Sequence, residues 1–384
     1  MKKILVIHNK YRQLGGEDIA VNNELLMLKK NYEVKELYFD NNKSNYFQLF
    51  LSFVLNKNLK SMSILKKTIS EFNPDVAYVH NTWLTASTGV FRVLEKNKIK
   101  TILKLHNFRY YCTRSHFSKK HIENKSFCGA CGYKRNGHGF YNKYFEDSYI
   151  KSFFVNRYGK KYFKILKKNN ITLLVLTKFH KRFLINLGID KDKISVVQNF
   201  IESQNIVISS KQENQIVYAG RISKEKGVEE LIKSFKSSLL NNYKLIIIGG
   251  GPELNNFIKK YQSPNVKFLG NINNQEVLRI ISNSLAVVTS TKLFEGQPTL
   301  LCEAATLGIP SLFPKTGGII EFFPDDYKLS FQQFDYDDLK NKLELLKDKQ
   351  FSKKIGIQSK EFYNSNFNYK ILTRKFDKIL NEIW

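Results

Sequence analysis

Two neighbouring glutamates could bind the hydroxyl groups of a sugar or a nucleotide. Glu295 and Glu303 lie in the sequence LFEGQPTLLCEAA, which follows the apolar run Leu285–Thr289. Carboxylate oxygens accept hydrogen bonds from hydroxyl groups, and a diol such as ribose offers two donors to one carboxylate. A helix that begins at Pro298 would carry Glu303 one turn from its start, where it suits a ribose, and would leave Glu295 in the loop, where it can reach a sugar.

The same segment also offers a site for an anion. Gly296 permits a tight turn before Pro298, and the backbone amides of Thr299 and Leu300 would lie in the first turn of the helix without intrahelical partners. Amides at a helix N-terminus bind phosphate readily. Since two carboxylates would repel a phosphate group, we expect the glutamates to contact hydroxyl groups of a ligand whose phosphates meet these amides.

Two cations follow the predicted strand Ile216–Ala219. Arg221 comes directly after Gly220, and Lys226 precedes the glycine that opens a predicted helix. Cations beside a helix N-terminus, at the carboxyl end of a parallel strand, suit a diphosphate. The alternative for these residues alone is a solvated arginine and lysine in a loop.

Three consecutive glycines, Gly249 to Gly251, follow the predicted strand Lys244–Ile248. Glycines allow the backbone to approach a ligand closely, so Gly250 could contact a phosphate or a base. The spacing lacks the full dinucleotide-binding fingerprint, and a plain turn between strand and helix is the alternative.

Short β-branched runs alternate with helical patterns along the whole chain, which predicts βαβ units and parallel sheets. The predicted strands are Ile4–Ile7, Val34–Tyr38, Val76–His80, Thr101–Leu105, Leu173–Leu176, Ser195–Val197, Ile216–Ala219, Lys244–Ile248, Val266–Leu269, Leu285–Thr289 and Ser311–Phe313. The fold class expected is therefore α/β, with two doubly wound Rossmann-like domains. We place the first domain at residues 1–205 and the second at 206–366, and we predict a terminal helix over 367–384 that docks on the first domain.

Composition narrows the class of protein and of partner. The 384 residues carry 62 Lys and Arg against 34 Asp and Glu, a net charge of +28, so the partner is expected to be anionic: nucleic acid, phospholipid or a phosphorylated ligand. A hydrophobic content of 42% excludes a disordered or fibrous chain. The sequence contains no apolar run of the length that a membrane span needs, and its four cysteines fit a reducing compartment, so we expect a cytoplasmic protein.

These motifs together resemble family 4 of the retaining glycosyltransferases, which have the GT-B fold of two Rossmann-like domains facing a central cleft. The motifs that carry the resemblance occur in the family's order: Gly15-Gly16-Glu17, Leu105-His106-Asn107-Phe108-Arg109, Gly220-Arg221, Lys226-Gly227, the pair Glu295 and Glu303, and Gly317-Gly318-Ile319-Ile320-Glu321. The resemblance covers nearly the whole chain.

The resemblance implies an acceptor-binding first domain and a nucleotide-sugar-binding second domain. In this interpretation Arg221 and Lys226 hold the donor diphosphate, Glu303 holds the ribose, and Glu295 with the backbone from Gly296 to Leu300 holds the sugar and phosphates. The first domain would contribute three residues: Gly15 and Gly16, which close over the donor, and His106, which lies beside the reacting sugar. A structural histidine at a strand end is the alternative for the last of these.

The implied chemistry is transfer of a sugar from a UDP- or GDP-sugar to a saccharide or polyprenyl-linked saccharide, with retention at the anomeric carbon. Arg221 and Lys226 would stabilise the charge that develops on the leaving diphosphate, so no cofactor or divalent metal is required. A double displacement with Glu295 as nucleophile is the competing mechanism. Surface polysaccharide synthesis in a bacterium is the expected setting.

Cys112, Cys128 and Cys131 lie in a predicted insertion at about residues 107–140. With nearby histidines they could form a structural zinc site, and reduced thiols in a loop are the alternative.

The stretch from Tyr141 to Lys168 is helical, basic and aromatic in pattern, which suits the anionic inner face of a cytoplasmic membrane. Buried aromatics beneath solvated lysines are the alternative.

Two other functions stay open from the sequence: a sugar-nucleotide 2-epimerase of the same fold, and a basic nucleic-acid-binding protein. We expect no nucleic-acid partner, because the chain contains none of the sequence motifs of nucleic-acid-binding modules.

Overall fold

The computed structural model describes residues 2–10, 16–42, 50, 52, 54–108, 148–201 and 212–383. The chain divides into two compact units. The first holds most of the chain up to Phe200 together with Tyr369–Trp384, and the second is Ile201–Asn368.

The first unit is built on a six-stranded parallel sheet in the order β2-β1-β3-β4-β5-β6. Its strands are β1 (Lys3–Lys10), β2 (Glu33–Asp40), β3 (Val76–Val79), β4 (Lys100–Leu105), β5 (Ile171–Val175) and β6 (Ile194–Val196). Its helices in this part of the chain are α1 (Gly16–Leu28), α2 (Leu59–Phe72), α3 (Gly89–Lys96), α4 (Tyr149–Leu166) and α5 (Lys178–Asn186). The strand order reverses direction between β1 and β3, and the carboxyl ends of strands at such a switch point form the usual ligand site.

The second unit also has a six-stranded parallel sheet, in the order β12-β11-β10-β7-β8-β9. Its strands are β7 (Glu213–Ala219), β8 (Lys244–Ile248), β9 (Val266–Gly270), β10 (Ser284–Val288), β11 (Ser311–Pro314) and β12 (Ser330–Phe331). Its helices are α6 (Val228–Ser237), α7 (Leu254–Tyr261), α8 (Asn274–Ser282), α9 (Thr299–Thr306), α10 (Tyr336–Glu344) and α11 (Lys349–Phe367). Here the order is that of a dinucleotide-binding fold, and its switch point lies between β7 and β10.

A final helix, α12 (Tyr369–Ile383), packs in the first unit, as the fold class predicted. Its buried residues Leu372 and Phe376 join the apolar cluster that contains Ile4 and Val6 of β1. The rings of Phe376 and Tyr78 lie 5.2 Å apart. The helix therefore completes the core of a unit whose other residues lie much earlier in the chain.

The predicted α/β fold is confirmed. Each of the eleven predicted strands coincides with an observed strand to within a few residues, and most of them are continuous apolar runs, as expected of strands buried on both faces. The two-residue strand β12 was not predicted. Among the helices that the described residues form, none is long and apolar enough to cross a membrane.

Candidate functional site

The predicted donor residues of the second unit cluster around the switch point between β7 and β10. The loop after β7 carries Arg221 and Lys226, and the loop after β10 carries Glu295 and leads into α9. The two loops are joined directly, because the amide of Lys292 donates to the carbonyl of Glu225 at 2.9 Å. The sheet order thus brings together two motifs that are far apart in sequence.

An ion pair lies at the centre of this arrangement. Lys226 Nζ is 2.5 Å from Glu295 Oε1, and both side chains are partly exposed. The same carboxylate oxygen accepts a hydrogen bond from the hydroxyl of Thr291 at 2.9 Å. Sequence reasoning had assigned Lys226 and Glu295 to different parts of a ligand and did not predict that they would contact each other.

Glycines allow these loops to pass close together. A Cβ atom at Gly227, where φ is 69°, would lie 2.1 Å from the carbonyl oxygen of Ser290. A Cβ at Gly317, where φ is 58°, would lie 2.2 Å from the carbonyl oxygen of Glu295. Any side chain at either position would separate backbone segments that build the site.

The glycine run after β8 lies along the loop after β7. The amide of Ile222 donates to the carbonyl of Gly250 at 2.8 Å, and the carbonyl of Ile222 accepts from the amide of Glu253. Arg221 is exposed in this loop, and its carbonyl accepts a hydrogen bond from the hydroxyl of Tyr218. Gly250 and Arg221 are therefore neighbours in the structure, as a shared phosphate or base contact requires.

Helix α9 begins where the sequence predicted. Pro298 is its N-cap residue, without a side-chain hydrogen bond to the cap, and Thr299 and Leu300 occupy its first turn. Gly296 is buried in the preceding turn.

Glu303 is the buried carboxylate of this helix. It is 8% exposed, and its Oε1 accepts a hydrogen bond from Asn274 Nδ2 at 3.2 Å. Burial raises its pKa to about 7, and the hydrogen bond from Asn274 opposes this rise. One amide leaves most of the acceptor capacity of the carboxylate unused, which favours a ligand hydroxyl as its further partner.

The first unit contributes a small pocket at the carboxyl ends of β3 and β4. Its lining includes His106, which follows β4, and His80, which follows β3. Trp83 and Tyr158 line it too, with ring centroids 4.6 Å apart. The predicted active-site histidine therefore lies in a concave surface with aromatic walls.

His106 contacts a second histidine, His80. Its Nε2 lies 2.9 Å from His80 Nδ1, and the two rings stack with centroids 5.2 Å apart. Sequence reasoning missed His80, although its position offered a signal: like His106, it directly follows a buried parallel strand, and such strand ends meet at one edge of a sheet. Asn107, next along the pocket, donates from Nδ2 to Glu17 Oε2 at 3.3 Å.

The predicted glycine loop is described only in part. Gly16 is the first residue of α1 and is exposed, whereas Gly15 lies outside the described residues. The three cysteines proposed for zinc, Cys112, Cys128 and Cys131, also lie outside them. Within the part of the chain that is described, no group of three or more His, Cys, Asp or Glu side chains is placed to hold a metal ion.

Residues 199–362 match the family model described as Glycosyl transferases group 1. The chain is 24% identical over 243 residues to the uncharacterized glycosyltransferase MJ1069 of Methanocaldococcus jannaschii, a match that covers 59% of this chain and 62% of the relative. It is 24% identical over 226 residues to the capsular polysaccharide biosynthesis glycosyltransferase CapM of Staphylococcus aureus, covering 56% of this chain and 57% of that protein. The chain thus spans about three fifths of the length of these curated relatives.

Among solved structures, the chain resembles Anabaena HepE in complex with UDP-glucose. The TM-score is 0.69 at 13% sequence identity, and the match covers 100% of both chains. The two Rossmann-like units are those of the GT-B fold, and the second unit carries the region that matches the group 1 glycosyl transferases.

Proposed function

We propose that this protein is a glycosyltransferase that moves a sugar from a nucleotide-sugar donor to a saccharide or lipid-linked saccharide acceptor. The observation that carries the proposal is the arrangement at the carboxyl ends of β7 and β10, where Lys226, Glu295 and the start of α9 converge. This arrangement lies inside the region that matches the group 1 model. The capsular polysaccharide relative supports a role in surface polysaccharide synthesis, and the UDP-glucose complex of HepE, which has the same fold, supports a nucleotide-sugar donor.

The donor would be held by the second unit. Arg221, Lys226 and the amides of Thr299 and Leu300 would bind the diphosphate, with the backbone at Gly250 close by. Glu303 would accept hydrogen bonds from the two ribose hydroxyls. Since it is buried and makes a single hydrogen bond to Asn274, a ribose diol would restore the solvation that burial removes from the carboxylate.

Glu295 would bind hydroxyl groups of the donor sugar. It pairs with Lys226 at 2.5 Å, so a diphosphate that takes over the ammonium group would also release the carboxylate. When the diphosphate replaces Glu295 as the partner of Lys226, the lysine would bind phosphate and the released carboxylate would bind sugar hydroxyls.

The reaction would proceed with retention. A donor phosphate oxygen takes the proton of the acceptor hydroxyl while the bond from the anomeric carbon to the diphosphate breaks and the acceptor oxygen bonds to the same face. Negative charge grows on the leaving diphosphate, where Arg221, Lys226 and the α9 amides stabilise it more than they stabilise the ground state. These two cations would supply the positive charge that a divalent metal supplies in other transferases, so the proposal includes no metal on the diphosphate. Glu295 as a nucleophile is the competing route.

The acceptor would be held by the first unit at the pocket beside His106. Trp83 and Tyr158 offer flat apolar faces for a sugar ring, and Asn107 and Glu17 offer polar groups for its hydroxyls.

We also propose that the first unit docks on an anionic membrane surface. Six large apolar or aromatic side chains, which lie just before α2, at its first residue and at the start of α4, are between 43% and 77% exposed: Phe50, Leu55, Leu59, Tyr149, Ile150 and Phe153. The Phe50 ring lies 6.0 Å from that of Phe154 on α4, so the two segments are adjacent. Membrane insertion would bury this apolar surface, and a lipid-linked acceptor would then be presented to the same unit.

Basic residues accompany these apolar ones. Burial lowers the pKa of Lys161 on α4, and the nearby charges of Arg157, Lys57 and Arg92 lower it further. Anionic headgroups would stabilise such a cluster of neighbouring cations.

The first experiment is a thermal-shift panel of UDP, GDP and common sugar nucleotides on the wild type and on Glu303→Ala. A ligand that binds only the native state raises its melting temperature. The proposal predicts a nucleotide-specific rise that the variant loses. No rise with any nucleotide, in protein shown to be folded, would refute it. Product analysis without an acceptor then separates a transferase from a 2-epimerase, because only the epimerase converts the sugar nucleotide by itself.

A further inference from the structure

A buried polar network is connected to His106 through His80. It has no role in the proposed mechanism. Glu24 of α1 is at its centre: its Oε2 accepts a hydrogen bond from the hydroxyl of Tyr78 at 2.8 Å, and its Oε1 accepts one from the ammonium of Lys104. Lys104 also donates to the carbonyl of Gln198. Both ends of the ion pair are almost fully buried. Burying such a pair costs desolvation energy that apolar residues would avoid, so the pair is expected to serve more than stability.

His80 connects this network to the pocket. On one side its Nδ1 contacts His106 Nε2 at 2.9 Å, and on the other its Nε2 lies 3.9 Å from Glu24 Oε2. The ring of His8 faces it as well, with centroids 6.2 Å apart, and the Nε2 of His8 contacts Asp18 Oδ1 at 2.9 Å.

Both histidines of the pair are neutral. Burial is the first cause that lowers the pKa of His80 and of His106, and the nearby charge of Lys104 lowers both further. A hydrogen bond between two neutral imidazoles requires one N–H and one lone pair. Either His80 donates from Nδ1 to His106, or His106 donates from Nε2 to His80.

The carboxylate of Glu24 determines which of the two hydrogen-bond directions is favoured. If His80 donated from Nδ1, its Nε2 would carry a lone pair that faces a carboxylate oxygen 3.9 Å away, which is repulsive. If His80 instead carries its proton on Nε2, that N–H points toward the negative charge and Nδ1 becomes an acceptor. The hydrogen bond on one nitrogen of a histidine fixes the state of the other.

We propose that Glu24 and His80 are positioning residues that hold His106 in the tautomer with its proton on Nε2. His106 Nδ1 then bears a lone pair. Among the described residues this atom is buried without a hydrogen-bond partner, beside the pocket that His106 lines with Trp83 and Tyr158. The group that would satisfy this buried lone pair is a hydroxyl donor, such as a hydroxyl of the acceptor saccharide or of the donor sugar, which must displace part of the pocket wall to reach it. This last step rests on the proposed function, whereas the tautomer does not.

The direct test is two-bond hydrogen–nitrogen correlation NMR on the full chain labelled with ¹⁵N-histidine. The variant His106→Gln identifies the signals of His106 by their loss. The proposal predicts a protonated Nε2 and an unprotonated Nδ1 for His106, and the same tautomer for His80. Observation of the opposite tautomer, or of a doubly protonated ring, in the wild type at neutral pH would overturn it. This measurement needs no substrate, so it holds whether or not the protein transfers sugar.

A variant series tests whether Glu24 sets the tautomer. Glu24→Gln alone would leave the Lys104 ammonium buried without its partner, so the series uses Glu24→Gln together with Lys104→Met, and backbone amide spectra establish folding. The His106 nitrogens should then shift toward the values of a mixture of tautomers. Asp18→Asn is the matched control, because it neutralises another buried carboxylate of this region, the one that contacts His8, and should leave the His106 tautomer unchanged. An unchanged His106 tautomer in the double variant would refute the role of Glu24.

A kinetic readout separates positioning from a merely structural role. His80→Phe keeps a ring at this place and removes the acceptor nitrogen. On the proposed function, kcat should fall about tenfold to a hundredfold, which is typical for loss of a residue that orients a functional histidine, while the KM for the sugar nucleotide stays the same. An unchanged kcat, or a loss confined to KM, would refute the positioning role.

Discussion

Lys226 and Glu295 form an ion pair, with Nζ 2.5 Å from Oε1, across the switch point of the second sheet. Thr291 donates to the same carboxylate oxygen. On the proposed function, a ligand that carries both a diphosphate and a transferable sugar would separate the pair. A nucleoside diphosphate without the transferable sugar would engage Lys226 alone, and this difference is measurable.

Glu295→Gln is expected to bind UDP more tightly and to transfer sugar more slowly. Without the carboxylate, Lys226 is available to the diphosphate. A partly exposed ion pair is worth up to about 1 kcal/mol, which corresponds to about fivefold in affinity at most. Calorimetric titration with UDP measures the gain, and turnover should fall at least about tenfold.

The matched control is Glu230→Gln. It removes the carboxylate of the neighbouring ion pair between Lys292 and Glu230, which has the same distance of 2.5 Å. It should leave UDP affinity unchanged. Weaker UDP binding by Glu295→Gln than by the wild type would contradict the exchange of partners.

The double variant Arg221→Ala, Lys226→Ala should lose turnover by at least about a hundredfold, since the loss of even one group that stabilises a developing anion has an effect of this size. Turnover is measured at saturating donor, so that weaker binding alone does not account for the loss. Lys224→Ala is the control, because Lys224 lies in the same loop with a side chain 76% exposed. Unchanged turnover in the double variant would exclude a leaving-group role for the two cations.

Glu303 should make the unliganded protein less stable as pH rises. Its pKa is about 7 in the folded protein against an ordinary value of 4.5, so between these values the folded state keeps a proton that the unfolded chain has released. The effect is present in full above pH 7 and amounts to up to about 3 kcal/mol. Glu303→Gln should therefore melt at a higher temperature than the wild type at pH 8, and at a similar temperature at pH 4.5.

Thermal melts of both proteins across this pH range test the prediction, with Glu361→Gln, an exposed glutamate on α11, as the control. A ribose diol favours the ionised carboxylate, so wild-type affinity for UDP should rise as pH increases through about 7. A Glu303→Gln variant that is less stable than the wild type at pH 8 would show that burial does not hold this carboxyl protonated.

Gly249→Ala should disturb the nucleotide site more than Gly270→Ala. Both glycines have positive φ, 128° and 67°, so either substitution strains the backbone at a cost of about 1–3 kcal/mol. A Cβ at Gly249 would also lie 2.0 Å from the carbonyl oxygen of Gly220, whereas a Cβ at Gly270 meets nothing within 4 Å. We expect Gly249→Ala to lose the thermal shift with UDP and Gly270→Ala to keep it. Equal shifts in the two variants would show that the close approach is not needed for binding.

The membrane proposal predicts that the protein floats with liposomes that contain anionic lipid and not with neutral ones. Leu59→Ser together with Ile150→Ser removes two exposed apolar side chains of the first unit and should reduce flotation several-fold. Leu239→Ser with Ile357→Ser is the matched control, since these residues are also exposed but belong to the second unit. Flotation that is insensitive to anionic lipid would count against the surface.

The sequence predicted those strands and helices whose pattern lies within a single segment of the chain. The strand Lys244–Ile248 is a continuous apolar run, and Pro298 marks the start of α9, so both could be placed without knowledge of the sheet order. The terminal helix was recognisable from apolar residues at helical spacing.

Contacts between distant segments were not predictable in this way. Glu24 and Lys104 are charged residues in an ordinary helix and strand pattern, and only the neighbouring positions of β1, β3 and β4 in the sheet bury them together. The contact between His80 and His106 likewise follows from the pairing of β3 with β4. The ion pair of Lys226 with Glu295 requires that β7 and β10 be neighbours, which the order of strands along the chain does not reveal.

The packing of α12 determines which of the two units can finish folding first during synthesis. Phe376 packs in the same apolar cluster as Ile4 and Tyr78, yet the ribosome makes all of Ile201–Asn368 before it makes α12. During that interval the apolar groove that α12 later fills is open to solvent or to chaperones. The second unit, a continuous stretch of chain, can finish folding first, so the unit that is synthesised first is the last to mature.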